Sequence, residues 1–227
     1  MPPEPKTDVA AVVAWLKKTG TTAVRDGMAR YAIPADRAFG VAVGALKAYA
    51  KTIGKDHDLA VALWDTGHYE ARMLVPFLAD PARVAPALMD RWCRDFDNWA
   101  VCDAVCFHLF DRTPHAFAKV KKWAGLRGEF QKRAAFALLA SVALHDKKAP
   151  DGPFAEALTL VEKAATDDRN FVKKGVNWAL RGIGHRGPEL RSLAAAVAER
   201  LAASDDAAAR WVGRDALREF ARRKARA

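Results

Sequence analysis

The chain is 227 residues long, carries 37 Lys plus Arg against 27 Asp plus Glu, and has a formal net charge of +10. Alanine is abundant, whereas isoleucine occurs only at Ile33, Ile53 and Ile183 and serine only at Ser141, Ser192 and Ser204. Strands draw on β-branched residues and β-rich folds on Ser, Asn and Gly in their turns, so a sandwich or barrel is excluded and a parallel α/β sheet disfavoured. Amphipathic runs with apolar positions three or four apart predict helices near 8–18, 22–32, 35–52, 57–65, 67–79, 81–95, 97–110, 114–124, 129–145, 154–166, 169–184, 188–203 and 207–223. Asp80-Pro81, Thr113-Pro114, Asp151-Gly152-Pro153 and Gly187-Pro188 mark helix starts, each a cap followed by proline near the first helical position.

A weak internal repeat groups these helices into pairs. Pro81 precedes Asn98-Trp99, Pro114 precedes Glu129-Phe130, and Pro153 precedes Asn170-Phe171. Helix pairs repeating about every 40 residues are the mark of a HEAT-like α-solenoid. The expected fold is therefore all-α, a right-handed superhelical solenoid of HEAT-like helix pairs with a basic concave groove; a plain helical bundle is the alternative. One domain is expected over 8–221, flanked by a flexible tail at 1–7 and a basic tail at 222–227.

No run of about 18 apolar residues is present, so no membrane span is expected. The start lacks the basic and long apolar regions of a secretory signal. Cys93, Cys102 and Cys106 are too few, and odd in number, for a disulfide framework. These features are the ones expected of a protein of a reducing cytoplasm. Zinc would need four well-directed ligands, and His108 points away from Cys102 and Cys106 on a helix, so no metal site and no cofactor are expected. GIGHRG at 182–187 reads as a helix stop, because no strand precedes it.

The positive charge points to an anionic partner, with nucleic acid the commonest. Much of it lies between Lys119 and Arg191, and Arg222, Arg223, Lys224 and Arg226 close the chain. FQKRAAFALL and FVKKGVNWAL each place two basic residues just after the opening aromatic, so Lys132, Arg133, Lys173 and Lys174 would fall on one concave surface.

Asp103 breaks the pattern most sharply. It sits in WAVCDAVCFHLF, where an unpaired ionised carboxylate would be costly to bury. Trp99, four residues earlier, projects from the same helix face. Asp103 as an acceptor for a neighbouring arginine, Arg133 as a surface charge, and Trp99 and Trp178 as core are the plain readings taken singly. As a set they form an aromatic–acid pair, an arginine and a second tryptophan on three successive second helices. Arginine suits phosphate through its fixed fork of donors, indoles can flank a sugar or base, and a carboxylate can stabilise positive charge developing between them.

Six segments carry a family resemblance. They are MARY at 28–31, FGVAVGALKAYAK at 39–51, LWDTGHYEARML at 63–74, DFDNWAVCDAVCFHLF at 95–110, QKRAAFALL at 131–139 and FVKKGVNWALR at 171–181. In this order they resemble the AlkD-like DNA alkylation repair proteins, HEAT-like-repeat alkylpurine DNA glycosylases. The resemblance implies excision of cationic N3- and N7-alkylated purines from double-stranded DNA without base flipping; a monomer is the expectation for a groove that must wrap DNA. It assigns catalysis to Trp99, Asp103, Arg133 and Trp178 and a DNA contact to Tyr31, while by their charge Arg133, Lys132, Lys173 and Lys174 would hold the DNA backbone. VAVGALK after Gly40 and the loop HDKKAPDGP at 145–153 depart from the family pattern. A non-catalytic binder of DNA structures and a HEAT-like protein-interaction scaffold are the alternatives.

Overall fold

The computed structural model describes residues 7–224, with side chains described through Arg222; the expected tails therefore fall outside it at 1–6 and 225–227. The described chain is all-α, with thirteen α-helices, three short 3₁₀ turns and no strand. It divides into two compact units, one ending at Leu109 and the other beginning at Phe110.

The first unit holds α1 (Val9–Thr19), α2 (Thr22–Gly27), α3 (Val43–Ile53), α4 (His57–Asp65), α5 (Tyr69–Leu78), α6 (Pro86–Arg94) and α7 (Trp99–His108). Within it α4 packs on α5, and α3, α5 and α7 lie in sequence against one another. Leu16, Leu46, Leu63, Trp64, Leu74 and Trp92 are among the side chains with no exposed surface. The second unit holds α8 (Ala116–Trp123), α9 (Glu129–His145), α10 (Gly152–Ala164), α11 (Asn170–Gly184), α12 (Pro188–Ala202) and α13 (Ala207–Lys224). Here α9, α11 and α13 stack as one layer, while α8, α10 and α12 form the other. This is the pairing expected of a helical repeat, in which neighbouring pairs bury each other's apolar faces.

Two expected helices are shorter than their periodicity suggests. The run 35–52 is helical only from Val43. Gly40 has φ +83, and a Cβ there would lie 2.1 Å from the Thr21 carbonyl oxygen, so the turn demands glycine. The fully buried Glu70 carboxylate then accepts from three consecutive backbone N–H groups, those of Phe39 (2.9 Å), Gly40 (2.7 Å) and Val41 (3.2 Å). Those donors are committed to a side chain on α5, so no helix can use them. The run 81–95 is split into a 3₁₀ turn at Pro81–Arg83 and α6, because Pro86 lacks the N–H an unbroken helix would require. At the other end, α13 continues through Lys224, past the expected boundary at 221.

Candidate nucleic-acid interface

In the first unit, α7 sets the geometry. Asn98 caps it, its side-chain oxygen accepting from the Val101 N–H at 3.0 Å. The loop before it is braced from outside: Trp64 Nε1–H donates to Asp95 (2.7 Å) and Arg72 donates to the Asp95 carbonyl (3.1 Å). Arg72 also lies over the Trp64 ring, 5.0 Å from its centroid. Trp99 is thereby fixed as the first residue of α7, half-buried, with its Nε1–H donating to the Tyr31 carbonyl at 2.8 Å.

Asp103 follows one helical turn after Trp99 and is partly exposed. Its charge is felt at Cys106, whose thiol is pushed well up by burial first, then by its hydrogen bond with Cys102 and the charges of Cys102 and Asp103. Cys106 therefore stays a neutral thiol. Cys93, Cys102 and Cys106 are buried and free of disulfides. Among the described residues no group of three or more His, Cys, Asp or Glu side chains is arranged to hold a metal.

Tyr31 ends the 3₁₀ turn Met28–Tyr31 and is 65% exposed. It lines a cavity of about 380 Å³ with Val24, Met28, Ile33, Val43 and Tyr69. Burial, then the charge of Glu70, pushes the Tyr69 phenol up to about 12, so it stays protonated at neutral pH. Ala32, directly after Tyr31, has φ +53 and ψ +42, a left-handed conformation that a residue with a Cβ rarely adopts. The strain sits where the chain presents the Tyr31 carbonyl to Trp99.

The second unit carries the cations. Arg133 lies in α9 and is only 7% exposed; its Nη1–H donates to the Phe171 carbonyl in the first turn of α11 at 2.7 Å. Gly175 of α11 lies against the Arg133 stem. Lys132, half-buried, forms a 2.9 Å ion pair with Asp167. Asp167 also receives Nε–H of Arg169 (2.8 Å) and its Nη2–H (2.6 Å). The Arg169 guanidinium first, and Lys132 after it, hold the Asp167 carboxyl far below the usual carboxylate range. The two cations and one carboxylate thus present a net single positive charge.

Lys174 is exposed, while the Lys173 ammonium lies over the Trp211 ring, 5.1 Å from its centroid. Trp178 is half-buried in the wall of a cavity of about 350 Å³, with Leu144, Lys147, Arg181, His185 and Glu219 among its neighbours there. Arg181 is oriented by Asp215 at 3.7 Å, and Asp215 also accepts from Asn177 Nδ2–H at 2.9 Å.

The structure therefore gathers Trp99, Asp103 and the Tyr31 carbonyl in the first unit. In the second it gathers Arg133 with the start of α11, Lys132 with Asp167, and Lys173 with Trp211. Arg72, Lys147, Arg181 and Trp211 stand outside the expected site residues, although Lys147 and Arg181 belong to the cation-rich stretch between Lys119 and Arg191. Arg72 could have been found as a cation inside an apolar helix, and Arg181 by its position one turn after Trp178. Trp211 carries no signal beyond its type. The first unit offers a flat apolar ring locked beside a fixed negative charge, and the second offers cations spaced along helices, with aromatic surface between them.

Residues 12–220 match the family model described as DNA alkylation repair enzyme. Comparison with curated protein sequences gives no significant match. Among solved structures the fold is similar to that of a member of a protein family related to the HEAT-like repeat DNA glycosylases with affinity for branched DNA structures. The TM-score is 0.75 at 22% identity, over 85% of this chain and 83% of that one. No described helix is long and apolar enough to cross a membrane.

Proposed function

Because the chain belongs to the DNA alkylation repair enzyme family, we propose that it is a DNA glycosylase releasing cationic N3- and N7-alkylated purines from double-stranded DNA. The observation that carries this reading is the Trp99–Asp103 pair on α7, with the indole pinned to the Tyr31 carbonyl and Asp103 one turn along, partly exposed.

The chemistry asks for little else. An N-alkylated purine already bears a positive charge, so no general acid has to protonate the leaving group. The C1′–N bond breaks with its electron pair going to the purine, which departs neutral. Positive charge is left on the deoxyribose as an oxocarbenium-like species, and water adds to C1′ and loses a proton. A carboxylate about 4 Å from that charge contributes on the order of 4 kcal/mol at an effective dielectric near 20. Expressed only in the transition state, that is roughly a thousandfold in rate.

Asp103 stabilises the oxocarbenium and positions the water. Trp99 and Trp178 pack against the sugar and backbone of the lesion-bearing nucleotide. Arg133 holds a phosphate, Lys132, Lys173 and Lys174 supply further backbone charge, and Tyr31 touches the DNA. The reaction uses no metal and no cofactor, the base is not flipped into a pocket, and the protein acts as a monomer.

A second reading, a non-catalytic binder of DNA structures, draws on the structural neighbour's affinity for branched DNA. Incubation with methylated duplex DNA and chromatography of the freed bases separates the two. Release of 7-methylguanine or 3-methyladenine supports the glycosylase. Salt-sensitive DNA binding with no freed base supports the binder.

A further inference from the structure

Helix α13 has one face committed to packing and another left open. A Cβ at Gly213 would lie 2.3 Å from the Ala202 nitrogen and 2.4 Å from the Ala198 oxygen, so the absence of a side chain lets α13 press directly onto α12. At 100° per residue, Trp211, Arg214, Arg218 and Arg222 form a stripe on the side away from Gly213. All four are exposed, and Trp211 exposes 37% of its surface. The stripe runs beside α11, where Lys173 places its ammonium over the Trp211 ring and the exposed Lys174 follows. Of the two α13 carboxylates that face α11, Asp215 is turned to Asn177 of α11 (2.9 Å) and to Arg218 (3.0 Å), and Glu219 lies 3.9 Å from His185. Among the described residues Arg214, Arg222 and Lys174 have no acidic partner at ion-pair distance.

We propose that the α11–α13 face is an accessory site for an unpaired DNA strand, with Trp211 stacking on a base and Arg214, Arg218, Lys173 and Lys174 holding its phosphates. Charge selects a polyanion, and the aromatic residue selects its form. Inside a duplex both faces of a base are covered by its neighbours, so an indole finds an open base face only on an unpaired or terminal nucleotide. Guanidinium groups one helical turn apart, by contrast, engage phosphates of either form. The inference rests on the reading of the chain as a DNA-binding protein and shares Lys173 and Lys174 with it; Trp211, Arg214 and Arg218 have no part in the proposed excision.

The test is fluorescence anisotropy of the full chain with a blunt duplex and with the same duplex carrying a short single-stranded tail. The wild type is expected to bind the tailed DNA about tenfold more tightly, the size of one base stacked on an aromatic ring. Trp211→Ala removes that preference and Trp211→Phe keeps most of it. Arg214→Ala with Lys174→Ala weakens binding to both DNAs and reduces the slope of log K against log salt by about 1 to 2. No preference in the wild type, a preference that survives Trp211→Ala, or an unchanged salt slope overturns the proposal. If the wild type releases no base yet prefers the tail, the glycosylase reading fails while this site stands.

Discussion

Ala32 is the one described non-glycine residue with positive φ, and its place explains why the structure tolerates it. The turn at Met28–Tyr31 must reverse sharply so that the Tyr31 carbonyl meets the Trp99 indole N–H. A left-handed alanine costs roughly 1–2 kcal/mol, and glycine recovers most of that while giving back about 0.5–1 kcal/mol in chain entropy. Ala32→Gly is therefore expected to raise stability by about 0.5–1 kcal/mol in urea denaturation; a loss would mean that the methyl group is needed for packing. Trp99→Phe keeps the ring but leaves the Tyr31 carbonyl without its donor, at a cost of about 1 kcal/mol. The Trp99–Asp103 spacing was legible in sequence because helix geometry alone puts the two on one face. The Trp99 partner was not, because it is a backbone carbonyl 68 residues away. The same holds for Lys132, whose Asp167 lies 35 residues along the chain.

At the scale of elements, the helix positions followed from apolar spacing and Pro-marked starts, and α9, α11 and α12 begin within a residue of expectation. The failures at 35–42 and 84–85 have tertiary or local causes that periodicity does not encode: a carboxylate on α5 capturing three backbone donors, and a proline inside the run. Glu70→Ala leaves those three N–H groups without their acceptor and is expected to destabilise by about 3 kcal/mol or more, read by equilibrium unfolding. Asp167 makes a pH-dependent link between the α9 start and the residues leading into α11. Its folded pKa is depressed, so its contribution is present above the unfolded carboxylate value near 4 and lost as pH falls below it. Thermal unfolding should find wild type more stable than Asp167→Asn at neutral pH, with the gap closing below about pH 4. The same substitution removes the carboxylate that competes with phosphate for Lys132 and Arg169. Tighter binding to unmodified duplex DNA with a steeper salt dependence should follow.

For the whole molecule, the +10 charge is a property of place as much as of number. Lys132 and Arg169 are half-neutralised by Asp167, Arg133 is buried against α11, and of the exposed stripe of α13 only Arg222 stood out in the sequence. Charge counting therefore identifies an anionic partner but not the residues that meet it, because each lysine or arginine is spent or left open by residues far away in the chain. Affinity for any DNA comes from those cations. Catalysis in this account comes from Asp103, which repels phosphate and so contributes nothing to binding. The most direct measurement is single-turnover release of 7-methylguanine from methylated duplex DNA by wild type and Asp103→Asn, with DNA affinity measured alongside. Asp103→Asn is expected to release base about a thousandfold more slowly with affinity unchanged or raised; release at the wild-type rate would contradict the role given to Asp103.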